Sequence, residues 1–135
     1  MNNKKKVGLR FTIGGSLIGL GILHFVMGFA FPPFQEGSLE ILRLGFFGVV
    51  GPHFEPMAFA FWYHVAGGCY ALLGVLANAY ERDAKKPLPR SFAWSLLVLS
   101  CFGVTIAPKS GFWAGIAIAF WSLWQTHARK NEMQS

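Results

Sequence analysis

The chain has 135 residues, of which 53% are hydrophobic and 13% charged, with a formal net charge of +6. A soluble domain carries about one-quarter charged residues, so this composition excludes an ordinary water-soluble globule and names lipid as the solvent of a single domain spanning residues 1–135. The basic residues gather outside the apolar runs, at Lys4 to Lys6 and Arg10, at Arg82, Lys85, Lys86 and Arg90, and at Arg129 and Lys130. No stacking aromatics are interleaved with them, which excludes a nucleic-acid partner.

The first apolar run extends from about Leu9 to Phe31 and stops at the Pro32-Pro33 pair. It follows KKK as a signal peptide would, but its apolar core exceeds the usual ~7 to 15 residues, so it reads as a retained helix. Residues 32 to 56 then form the one long connection, an outer cap. Within it SLEILRLGFFGVV predicts a short amphipathic helix capped by Ser38, with Leu39, Leu42, Phe46 and Val49 or Val50 on one face. At about a dozen residues it is too short to span, and it reads as a lid in the outer interface with Glu36, Glu40, Arg43 and Glu55 toward water.

The second long run covers Met57 to Tyr80 and ends at the charged ERDAKK, whose loop of residues 81 to 90 leads to a third run, Ser91 to Ala107. Pro108 closes that run, and a fourth covers Gly111 to about Thr126. A span needs roughly 20 apolar residues, so the first two suffice and the last two are short, standing less tilted or thinning the bilayer. The expectation is an all-α integral membrane four-helix bundle with one outer amphipathic helix between helices one and two.

Lysine and arginine set its orientation. With both termini and residues 81 to 90 cytoplasmic, ten of the twelve basic residues lie inside and only Arg43 and Lys109 outside, as expected for a bacterial inner or plasma membrane. Trp62 and Trp113 then fall near the outer interface and Trp94 and Trp124 near the inner one. Residues 10–32 and 90–108 each run from an arginine to a proline, a weak parallel repeat of two hairpins.

Two histidines lie within these spans. His24 stands eight residues before Pro32 and His64 eight after Pro56, so at 1.5 Å per residue each is about 12 Å below the outer end. Cys101, seven residues before Pro108, is at nearly the same level. Gly14, Gly21 and Gly28 accompany His24, and Ala60, Gly67, Gly68, Ala71 and Asn78 accompany His64, so both rings are expected to face neighbouring helices. On the third helix Cys101 with Thr105 competes with a face defined by Ser100 and Gly103. On the fourth, Gly111, Gly115, Ser122 and Thr126 or Gln125 mark the inner seam.

An ionisable side chain inside a membrane is a candidate site, and three readings stay open. In one the neutral imidazoles simply fasten helices, with Tyr63, a carbonyl or water as partner. In another, His24, His64 and Cys101 with Phe25, Phe29, Phe61, Trp62 and Tyr63 line a pocket for a lipid, quinone or similar hydrophobic molecule. In the third the histidines are axial ligands of a haem, or His24, His64, Cys101 and Met27 hold copper or zinc, although no HxxxH or CxxC spacing is present. No carboxylate lies inside a span to orient a catalytic base, which weighs against an enzyme. Transport would require assembly of several copies. His53 in the outer loop, His127 in the tail and Lys109 in the third connection read as solvated. The lipid bilayer, a hydrophobic small molecule and further copies of the chain are the expected partners.

The segments GLGILHFVMG, FWYHVAG, LLGVLANAYER and PLPRSFAWSLLVLSCFGVTIAPKSGFW, taken in order, resemble an uncharacterised family of small bacterial four-span membrane proteins. His24 with Gly28, Phe61 to Gly67, and Pro108 to Trp113 carry the resemblance. It implies the membrane fold and supplies no activity. A fainter likeness to the DoxX-like group concerns architecture alone.

Overall fold

The computed structural model of the chain describes residues 12–45, 54–84, 86–106 and 111–132. These form five α-helices and, among the described residues, no strand: α1 (Ile13–Ala30), α2 (Pro32–Arg43), α3 (Phe54–Ala84), α4 (Arg90–Ile106) and α5 (Phe112–Glu132). Two of them, α1 and the Met57–Ala84 part of α3, are long and apolar enough to cross a membrane, while the apolar part of α4, Arg90–Thr105, is shorter. Phe46, Val49, Val50, His53, Pro108 and Lys109 lie outside the described residues.

The helix boundaries follow local chemistry. Thr12 caps α1, its hydroxyl oxygen accepting from the Gly15 amide at 2.9 Å. The residue before a proline is pushed out of the helical region, and Phe31 is extended at φ −94°, ψ 122°. Pro32 can then begin a new helix, because the first helical position needs no amide hydrogen. α2 therefore starts at Pro32, seven residues earlier than a Ser38 cap would place it. The charged Glu81 and Arg82 do not end α3 and the charged tail does not end α5, since both residue types are strong helix formers once a helix is under way.

α1 and α3 form the tightest contact, an antiparallel pair in which a heptad of glycines on α1 faces a heptad on α3. Gly14, Gly21 and Gly28 of α1 meet, in reverse order, Asn78, Ala71 and His64 of α3, also seven apart. Gly67 and Gly74 fill the intervening turns against His24 and Ile18. A Cβ added at Gly21 would stand 2.6 Å from the Gly67 carbonyl oxygen, so a side chain there would hold the backbones apart. At the far end of this seam the Thr12 hydroxyl donates to Asn78 Oδ1 at 2.7 Å.

α4 and α5 form a second antiparallel hairpin, with the Gly103 notch filled by Phe112 and the Gly115 notch by Ser100. The Ser100–Gly103 face of α4 is the one that packs, and Cys101 points outward. α5 joins this hairpin to α1, and the shared core of Ile13, Leu17, Leu20, Tyr70, Ala77, Leu88, Leu96 and Ala119 lies between the two hairpins. α2 folds back onto α1 and α3, burying Ser38 and Ile41 and stacking the half-buried Phe34 on Tyr63, with Ile41 in a small cluster with Met57, Ala60 and Phe61. Leu39 and Leu42, expected on the apolar face of a helix in the interface, are exposed and lie off this packed face. The early start at Pro32 lets α2 turn its 34/38/41 stripe inward.

The glycines divide into contact and open positions, which gives a direct test. Gly21→Ala is expected to lower the thermal stability of the detergent-solubilised protein by about 1–3 kcal/mol through overpacking. Gly19→Ala, where a Cβ meets nothing within 4 Å, is expected to leave stability unchanged or raise it by up to about 1 kcal/mol through helix propensity. Equal effects at the two sites would show that the seam is not closely packed.

Candidate functional site

The site grows out of the α1–α3 seam at its α2 end. His24 is buried, and its Nδ1 lies 2.9 Å from the Leu20 carbonyl oxygen one turn back. A carbonyl only accepts, so Nδ1 carries the proton of the neutral ring and Nε2 the lone pair. The ring stacks on Tyr63 at 4.8 Å between centroids and lies against Tyr70 at 5.4 Å, with Gly111 at the start of α5 close to its edge.

His64 has different neighbours. Its ring fills the notch left by Gly28, flanked by Phe25 at 5.2 Å and Phe29 at 5.0 Å. Its Nε2 lies 2.9 Å from the Ser38 hydroxyl, which in turn donates to the Gly28 carbonyl oxygen at 2.8 Å. The side chains of α2 and α3 and the backbone of α1 thus meet at a serine that is only 1% exposed. The other nitrogen, Nδ1, is buried with no hydrogen-bond partner among the described residues.

A serine hydroxyl beside a histidine nitrogen is also the spacing of a nucleophile and its base. Here the chemistry points elsewhere. The single hydroxyl proton of Ser38 is committed to Gly28, so the hydroxyl can only accept from His64, and a ring that donates through Nε2 does not abstract a proton there.

The two histidines are not at one depth. His64 faces Gly28 and His24 faces Gly67, so His64 lies one helical turn, or about 6 Å, nearer the α2 end. Counting from the prolines misplaced them because α1 ends at Ala30 and α3 begins ahead of Pro56, so the two prolines are not level markers. Tyr63 is the neighbour they share, stacked on His24, edge-on to His64 at 6.4 Å, and stacked on Phe34 of α2 at 4.1 Å.

The remaining expected residues divide clearly. Phe25, Phe29 and Tyr63 join the histidines, and Phe61 packs beside them on the α2 side. Trp62 touches Phe61 edge-on at 5.1 Å and is 62% exposed, so it stands on the bundle's exterior. Cys101 is exposed on α4, on the side turned away from the packed Ser100–Gly103 face, so the structure does not bring it to the histidines. Among the described residues no group of three or more histidine, cysteine or acidic side chains converges, and the trio His24, His64 and Cys101 is not assembled. His127 is exposed near the end of α5. An open apolar groove, lined by Trp94, Ser95, Val98, Leu99 and Phe102, lies on α4, on a different helix pair from the histidines.

Three polar residues of this region were not foreseen as partners. Ser38 was expected as a cap, yet its place between Phe34 and Ile41 at spacings of four and three marks an inward helical face. Tyr70 and Ser100 bring two buried hydroxyls toward one another beside the Gly115 notch between the hairpins. The Ser100–Gly103 spacing pointed to one of them; nothing in the sequence singled out Tyr70.

The chain belongs to the family of unknown function DUF6463, which matches over residues 8–129. Neither a curated protein nor a solved structure matches it.

Proton counting predicts opposite tautomers for the two rings. In ¹⁵N spectra at neutral pH, His64 should carry its proton on Nε2 and His24 on Nδ1. Ser38→Ala should cost about 1–3 kcal/mol of thermal stability, because the Gly28 carbonyl and the His64 N–H both lose a buried partner. The same tautomer at both rings would refute the assignment.

Proposed function

We propose that the chain is a four-span integral membrane protein that binds a hydrophobic molecule against His64. In this reading α1, α3, α4 and α5 cross a bacterial inner membrane, both termini lie in the cytoplasm and α2 rests at the outer surface. The exterior supports a lipid solvent. Large apolar side chains are exposed on all four of these helices, among them Ile22 and Val26 on α1, Phe59 and Leu76 on α3, Val98 and Phe102 on α4, and Phe120 on α5. A water-soluble protein rarely exposes so continuous an apolar surface.

The observation that carries ligand binding is the buried, unpartnered Nδ1 of His64. Buried polar atoms are nearly always hydrogen-bonded, and an exception in a native fold calls for an explanation, which a bound ligand supplies. Phe25 and Phe29 flank this ring, and Phe25 is 45% exposed toward the same exterior as Val26 and Ile22. A molecule dissolved in the bilayer therefore reaches the ring by displacing one aromatic side chain. A few polar groups in an apolar wall are the usual composition of such a site.

A second reading has its own support. The chain of bonds from His64 through Ser38 to Gly28 ties three helices together, and a protein that serves only as a scaffold would need the histidine for that alone.

His64→Gln separates the two, because a glutamine amide can still donate to Ser38 while the ring and its second nitrogen are gone. Native mass spectrometry of the detergent-purified protein should show a retained apolar molecule in the wild type and its loss in His64→Gln, with thermal stability within about 1 kcal/mol of wild type. The same spectra report whether the chain assembles with further copies. A wild type that retains nothing, alongside a fully folded variant, would leave the scaffold reading.

A further inference from the structure

We infer that the molecule held at His64 is recognised as a hydrogen-bond donor, a neutral hydroxyl-bearing amphiphile such as a long-chain phenol or alcohol, in preference to its ether, ester or ketone counterpart. This rests on the ligand-binding reading above and adds the polarity of the contact.

The polarity follows from counting protons along one chain of atoms. The Gly28 carbonyl oxygen has no proton and can only accept. Ser38 Oγ, 2.8 Å away, has one proton and gives it to that oxygen. His64 Nε2, 2.9 Å from the same Oγ, must then be the donor. A neutral imidazole has a single N–H, so the proton on Nε2 leaves Nδ1 with a lone pair and nothing to donate. The fixed backbone of α1 thereby dictates, through Ser38, what the far side of the His64 ring can bind. Ser38 is a positioning residue, since it acts on the ligand only by setting the tautomer.

The surroundings select for neutrality and an aromatic or flat body. Among the described residues the ring's contacts are with Phe25, Phe29, Tyr63, Gly28 and Ser38, none of them charged, and the neutral His24 lies beyond Tyr63. An anion would meet the lone pair of Nδ1 without compensation. A hydroxyl aimed at Nδ1 gains a partner that the free protein does not supply, while an ether oxygen in its place would set two lone pairs against each other. Sites built around a buried polar atom discriminate strongly in this way, since the mismatched ligand leaves that atom unpaired.

The test uses the full-length protein in nanodiscs with two probes of matched shape, 4-nonylphenol and 4-nonylanisole. Binding is followed by the ¹⁵N resonance of His64 Nδ1 and by competition for the molecule that co-purifies. The phenol should shift that resonance and bind about tenfold more tightly than the anisole, a preference that falls to about twofold or less in His64→Gln. Ser38→Ala should erode the preference as well, because the ring is then free to carry its proton on Nδ1; a purely structural serine would alter affinity for both probes alike. Equal binding of the two probes to the wild type overturns the donor inference and leaves ligand binding standing. Failure of both probes to bind or to displace the co-purifying molecule overturns the site itself.

Discussion

The close approach of α1 to α3 governs the rest of the architecture. Heptads of glycine on α1 meet small residues on α3, and a Cβ at Gly14, Gly21, Gly28, Gly67 or Gly74 would collide with the partner helix. In lipid, where apolar side chains gain nothing by leaving solvent, such backbone proximity and the packing it permits supply the attraction between helices. Once this register is set, His64 can only fall in the Gly28 notch and Asn78 beside Gly14, two heptads away. Each end of the seam then closes with side-chain hydrogen bonds, to Ser38 in one case and Thr12 in the other.

The same register explains why the two histidines differ. His24 projects from α1 over the Gly67 step and turns its ring to Tyr63 and Tyr70, where the nearest acceptor is its own Leu20 carbonyl. His64 projects from α3 over Gly28 and reaches a helix folded back from outside the pair. One ring completes its own helix and the other joins three. Their chemistry is accordingly distinct even though one tyrosine touches both.

Much of this was legible in the sequence. The all-helical character, the apolar runs that became α1, α3, α4 and α5, and the glycine faces of His24 and His64 follow from composition and a repeat of seven. What escaped was everything that depends on how α2 returns. A serine between apolar residues is as compatible with a cap as with a buried face, and the leucines at 39 and 42 suggested the opposite side of the helix. The deciding fact is the extended Phe31 ahead of Pro32, which turns the chain at once and brings Ser38 down on Gly28. Depth was misjudged for a related reason: prolines mark where a helix is interrupted, not the level at which two neighbours pass. Cys101 was placed by the same depth argument, and rotation about α4 sends it outward.

A histidine offers two nitrogens with opposite roles when neutral, and a fold that fixes one role fixes the other. At His24 the fixed contact is within one helix, so the role of Nε2 is set by α1 alone. At His64 the fixed contact is with a separate element, so the character of Nδ1 depends on α2 being seated. The two nitrogens of this ring are therefore linked: unseating α2 removes the acceptor of the Nε2 proton and with it the reason for Nδ1 to keep its lone pair. A ligand that needs that lone pair binds more tightly when α2 is docked, and by linkage its presence holds α2 down by the same free energy. α2 is in this sense coupled to Nδ1, through the histidine itself.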